Sequence, residues 1–151
     1  MNPIETILVP TDFGEPGESA LAYAMDLAEG LGAKVILLHA FELPIIGFPD
    51  GAMVATADIA SRIVNASQKA LDDAVSKYRK DKVELTALLK QGDPREVILA
   101  VAKDTGANLI VMGTHGRRGI ARALIGSVTE SLVRTSPVPV LTVHGTERAA
   151  A

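Results

Sequence analysis

Residues 108–132 read NLIVMGTHGRRGIARALIGSVTESL: an apolar run, a glycine-rich stretch, then a helical pattern. After Asn108 the run to Met112 has no polar position, which predicts a strand buried on both faces and therefore central in a parallel sheet. Gly113, Gly116 and Gly119 follow at three-residue intervals, and Gly126 is followed at once by Ser127 and Thr129. Ser127-Val128-Thr129-Glu130 has the Ser-x-x-Glu form of a capping box and opens a helix. So much bare backbone after a buried strand, with hydroxyls at the next helix start, suits a phosphate group. It also suits a turn followed by a cap.

The same alternation of strand and helix runs through the chain in both directions. Thr6–Val9 and Lys34–Ala40 read as buried strands, Val83–Leu89 as a more alternating edge strand, and Val138–Val143 as the last strand. Leu21, Ala24, Met25, Ala28 and Leu31 fall at helical spacing between Pro16 and Gly32. Ile63, Ala66, Ala70, Ala74 and Tyr78 do so on a longer helix. Asp93-Pro94-Arg95-Glu96 caps a third helix, which Gly106 ends. The expected fold is a single α/β domain over residues 1–145: an open five-stranded parallel sheet with helices on both faces and a frayed tail at 146–151. Orders 2-1-3-4-5 and 3-2-1-4-5 both satisfy the pattern. The second is favoured because it puts the reversal of winding between the first and fourth strands, where ligands bind such sheets. It brings together the two turn-rich ends, Pro10-Thr11-Asp12 and Gly113-Thr114-His115-Gly116. The apolar stretch from Phe41 to Ala57 reads as a loop long enough to cover a ligand or another subunit.

Composition narrows the functions. With 48% hydrophobic residues and a net charge of −3, the chain lacks the basic excess of a general nucleic-acid binder. Five aromatic residues and no Trp offer little for base stacking or for flanking a flavin ring. There is no cysteine, so thiolate chemistry and cysteine-ligated metals are absent. No basic leader and no run long enough to span a bilayer is visible, which makes the cytoplasm the expected location, without membrane insertion.

The glycine segment is not a P-loop, since no Gly-Lys-Ser/Thr closes it, nor the dinucleotide fingerprint, since its first spacing is G-x-x-G. Gly113-x-x-Gly116, nine residues, then Gly126-Ser127 is instead similar to the motif G-x2-G-x9-G-[S/T] of the nucleotide-binding branch of the universal stress protein family. The stretches ILVPTDF and VILLHA also resemble that family's first two strands, and the resemblance covers about residues 4 to 144. It implies an ATP site. Gly113 and Gly116 would admit the ribose and phosphates, with His115 and Arg117 beside them. Gly126, Ser127, Val128 and Thr129 would offer N–H and hydroxyl groups at a helix start, which favours an anion on independent grounds. Pro10, Thr11 and Asp12 would face the ribose or adenine edge, and Ala40 with Met112 would form part of the adenine wall. Mg²⁺ would be held mainly by the phosphates.

Each of these residues has a plainer reading. Ser127 also reads as an ordinary N-cap, Asp12 as closing a turn or capping the first helix, His115 as a solvated loop residue, and His39 as a core residue with a backbone hydrogen bond. His144 lies on the outgoing tail. Arg117, Arg118 and Arg122 either neutralise a polyphosphate or form a solvated face. The expected function is ATP binding in stress response and regulation through a client protein. At most slow hydrolysis or autophosphorylation accompanies it, because neither a hydrolytic base nor a Walker-B strand is apparent. The alternatives are an adenine-nucleotide hydrolase-like enzyme and a nucleotide-free interaction module. The resemblance also implies a homodimer through Val138–Val143. Pro139 lacks an N–H, which suggests that its side of the strand faces the open edge, leaving Val138, Val140 and Thr142 to pair with the fourth strand.

Overall fold

The computed structural model describes residues 2–44, 57–114 and 126–145. Its elements in chain order are β1 (Thr6–Pro10), α1 (Glu15–Leu31), β2 (Lys34–Phe41), α2 (Ala57–Tyr78), β3 (Leu85–Gln91), α3 (Pro94–Thr105), β4 (Leu109–Thr114), α4 (Ser127–Thr135) and β5 (Val140–His144). The five strands form one parallel sheet in the order β3-β2-β1-β4-β5. That is the single-domain fold anticipated above, with β3 and β5 at the edges.

Alternation along the central strands divides the core in two. Ile7, Val9, Val35, Leu37, Leu109 and Val111 point to the face covered by α1 and α2. Leu8, Ile36, Leu38, Ile110 and Met112 point to the face covered by α3 and α4. Parallel strands buried on both faces need apolar residues at every position, and these runs supply them. α1 and α3 end at Gly32 (φ +71°) and Gly106 (φ +68°), left-handed positions that glycine enters without steric cost.

Three expectations differ in detail. In α1, Leu31 is 48% exposed, and Gly17 and Ala20 complete the buried stripe instead. In α2 the buried residues are Ser67 and Leu71, while Ala66 is exposed. Ala74 and Tyr78 of the expected stripe do pack against the core, and Leu71 joins them as the most buried side chain of the helix, where its larger apolar surface stabilises more than a methyl group. β3 starts at Leu85 rather than Val83, whose N–H closes a turn onto the Lys80 carbonyl at 3.2 Å.

The last strand carries a correction of register. Ile110 N–H donates to the Pro139 carbonyl at 2.9 Å, and Ile110 lies opposite Val140. Pro139, Leu141 and Val143 therefore turn their backbone groups toward β4, whereas Val140 and Thr142 turn theirs to the open edge. Pro139 is tolerated because its nitrogen precedes the first rung of the ladder, and only its carbonyl is used.

Candidate functional site

The crevice begins with a missing hydrogen bond. β1 and β4 pair only through Ile7↔Leu109 and Leu8↔Ile110. Thr6 uses its carbonyl toward β4, accepting from Asn108 N–H, and Thr11 uses its N–H toward β2, donating to Leu38, each at 2.9 Å. By alternation Pro10 faces β4, where it has no N–H to give. The two strands part beyond that point, at the reversal of winding in the sheet.

The β1–α1 turn forms one wall. Thr11 Oγ1 accepts from Phe13 N–H and Asp12 Oδ1 accepts from Gly14 N–H, both at 2.9 Å. Asp12 thus closes the turn, as its plainer reading held, yet its exposed carboxylate also lines the cavity. Gly17 leaves room for Thr11, whose Oγ1 would lie 2.6 Å from a Cβ there. His39 Nδ1 stands 2.7 Å from the Thr11 carbonyl oxygen, so His39 has the expected backbone bond, but it is only half-buried and lines the cavity.

The opposite wall joins the end of β4 to the start of α4. A Cβ on Gly113 would overlap the backbone carbonyl of Pro16, so this glycine lets α1 enter directly over β4. Thr129 is buried and its hydroxyl donates to the Gly113 carbonyl at 3.3 Å. The cap reading of Ser127 is corrected: Ser127 is the first helical residue, and the N-cap is Gly126, with no side-chain cap bond. The first intrahelical bond runs from Glu130 N–H to the Gly126 carbonyl at 2.9 Å. A glycine has no side chain with which to cap its own helix, so among the described residues no N-cap side chain takes up the N–H groups of the first turn. α3 is the contrast. Asp93 caps it by accepting from Arg95 N–H at 2.8 Å, and the Arg95 guanidinium holds the Asp93 carboxyl below its ordinary range.

These walls enclose a cavity of about 350 Å³, within the range of small-molecule sites. Pro10, Thr11, Asp12, Ala40, Met112, Gly113, Gly126, Ser127, Val128 and Thr129 all line it. His115, Gly116 and Arg117, with Arg118, Gly119 and Arg122, lie outside the described residues, as does most of the loop that follows β2. Sequence reasoning missed Pro16, Gly17, Leu38, His39, Pro94 and Ile98. Pro94 and Ile98 could have been found: a right-handed crossover from β3 to β4 carries the start of α3 over β2. His144 also gains a definite place, with Nδ1 2.7 Å from the hydroxyl of buried Thr114. Asp12 is the one acidic side chain lining the described cavity, and no group of three metal-binding side chains occurs among the described residues. None of the described helices is long and apolar enough to cross a membrane.

Comparison with known proteins agrees with this arrangement. The family model described as "Universal stress protein family" matches residues 3–144. A universal stress protein of Thermus aquaticus is 32% identical over 146 residues, covering 93% of this chain and 98% of its own. The solved structure of the Methanocaldococcus jannaschii protein MJ0577 superposes with a TM-score of 0.76 at 24% identity, covering 97% of this chain and 99% of that one. Two further solved structures share the fold. An Arabidopsis thaliana family member with AMP bound has a TM-score of 0.66 at 19% identity, covering 97% and 95% of the two chains. A universal stress protein in complex with cAMP has a TM-score of 0.59 at 24% identity, covering 96% and 100%. By its matched length, its strand order and its identity to curated members, this chain belongs to the universal stress protein family.

Proposed function

We propose that the crevice binds ATP and that the protein acts as a nucleotide-dependent regulator in the stress response, in the cytoplasm and through a client protein. The observation that carries this reading is the open N-terminus of α4. Its N-cap is a glycine with no side-chain cap bond, and Gly126, Ser127 and Val128 line the cavity. N–H groups at a helix start, with the helix dipole behind them, favour a phosphate. Leu38, Ala40, Ile98 and Met112 suit the flat, weakly polar surface of adenine. Family members with AMP and with cAMP support an adenine nucleotide. The choice of ATP rests on the glycine motif, with His115, Gly116 and Arg117 extending the phosphate site. A Mg²⁺ ion would be carried by phosphate oxygens and water, because Asp12 is the one carboxylate in the described lining. The β5 edge, without a partner strand among the described residues, supports a homodimer.

The test is Gly126→Val. Gly126 has φ −57° and ψ 154°, a conformation open to any residue. The fold should therefore survive, with the melting temperature within about 3 °C of wild type. The added side chain covers the helix start, and ATP affinity by calorimetry should fall at least about tenfold, the loss of one or two charge-assisted hydrogen bonds. Equal affinities would refute the site. Mass spectrometry of nucleotide released on denaturation identifies the natural ligand.

A further inference from the structure

The β1–α1 turn is tied to β2 by more bonds than a surface turn requires. Phe13 stands in the left-handed region at φ +67°, a conformation that is unfavourable for a bulky residue and persists only when its surroundings hold it. Thr11 Oγ1 holds the Phe13 N–H at 2.9 Å. From the end of β2, His39 holds both neighbours: its Nδ1 is 2.7 Å from the Thr11 carbonyl oxygen, and its ring centre is 4.4 Å from that of Phe13. A carbonyl oxygen only accepts, so Nδ1 carries the proton.

Asp12 sits between these two anchored residues. β1 lies between β2 and β4 in the sheet. A ligand with its base against Ala40 and Ile98 and its phosphates at Gly126–Val128 must therefore pass its sugar over the end of β1. There the Asp12 carboxylate can accept from hydroxyl groups, with one oxygen already steadied by Gly14 N–H at 2.9 Å. We infer that His39 is a positioning residue that sets the sugar specificity of the site. By donating to Thr11 and backing Phe13, it holds Asp12 where ribose hydroxyls reach it. This rests on the adenine-nucleotide reading above. It gives His39 a task that core packing does not: a packing residue could be replaced by any ring of similar volume with no change in preference between sugars.

The experiment compares ATP with 2′,3′-dideoxy-ATP by calorimetry on wild type, Asp12→Asn, His39→Phe and His39→Asn. Wild type should prefer ATP by at least about tenfold, as expected for hydrogen bonds to a charged acceptor. Asp12→Asn keeps the acceptor for Gly14 but removes the charge, and most of the preference should vanish. His39→Phe keeps the ring contact and removes the donor. The ratio of the two affinities should fall about fivefold. His39→Asn restores an N–H at the same branch point without the ring, and should recover the share of the preference that the donor carries. Should His39→Phe fail to fold, nitrogen NMR of the wild-type imidazole decides: a proton on Nδ1 is expected, and a proton on Nε2 alone overturns the inference. Wild type that binds no ATP overturns the nucleotide reading and this inference with it. An ATP-binding wild type without sugar preference, or a His39→Phe variant with the wild-type ratio, overturns the inference alone.

Discussion

Gly113 shows how one absent side chain serves packing and site together. It lines the cavity, which is where the glycine motif directs attention, yet its closest neighbour is the backbone of Pro16 at the start of α1. Gly113→Ala should therefore destabilise the fold itself, by about 1–3 kcal/mol, as overpacking does in cores. Urea melts of the two proteins check this, and a stability equal to wild type would show that α1 can retreat freely. Gly126 should behave in the opposite way, losing ligand and keeping stability. Two prolines divide similarly. Pro10 ends the β1–β4 ladder and so opens the crevice, whereas Pro139 stands before its ladder and costs it nothing.

At the level of elements, the two helices on one face of the sheet begin in opposite ways. α3 carries its own anion, Asp93, at its N-cap, and α4 has none. Removing the first cap should lower the stability of the fold. Asp93→Ala is expected to reduce the melting temperature by about 2–4 °C at neutral pH. The effect should depend on pH. The folded-state pKa of Asp93 is lowered from 3.8, chiefly by its side-chain hydrogen bond with Arg95 and by the Arg95 backbone N–H. A depressed carboxylate contributes its stability above the unfolded value and loses it as pH falls through the folded value. The gap between wild type and variant should thus persist down to about pH 4 and close below it. Melts between pH 2 and pH 7 measure this, and a gap that stays constant would mean the charge of Asp93 has no part in the cap. With the proposed ligand supplying the anion at α4, ATP should raise the melting temperature of wild type more than that of Gly126→Val.

At the scale of the molecule, the sheet order sets both the cleft and the edge left for another chain. The reversal between β1 and β4 gathers the ends of β2, β1 and β4 with the starts of α3 and α4. On the far side, β5 presents Val140 and Thr142 with backbone groups turned outward. In the proposed homodimer these groups meet their counterparts across a two-fold axis. Thr142→Pro should then weaken association and leave the monomer's melt close to wild type. Leu141→Pro should break the internal ladder and destabilise the domain, because the register sets Leu141 toward Ile110. Light scattering with thermal melts separates the two, and a wild type that is monomeric throughout would remove the β5 dimer.

Local chemistry made much of this legible in the chain. Apolar runs long enough for a strand gave the five strands, glycines at helix ends gave the stops of α1 and α3, and two polar strand ends favoured, over the order 2-1-3-4-5, the order with its reversal between β1 and β4. The spacing of Gly113, Gly116 and Gly126 pointed to the family. Other features depended on which side of a neighbour each group faces, and a linear pattern does not carry that. Pro139, expected on the open edge, faces β4 because Ile110 bonds its carbonyl, and Ser127, whose pattern reads as a cap, is the first helical residue because the chain enters α4 at Gly126. The buried face of α2 kept Ala74 and Tyr78 of the expected stripe but centred on Leu71 and left Ala66 exposed, because burial of the larger side chain outweighs spacing. Most of all, His39 and Phe13 are 26 residues apart (39 − 13) and meet only because β1 and β2 are neighbours in the sheet. Contacts between distant segments arise when the sheet assembles, and they place the wall of the site that carries Asp12.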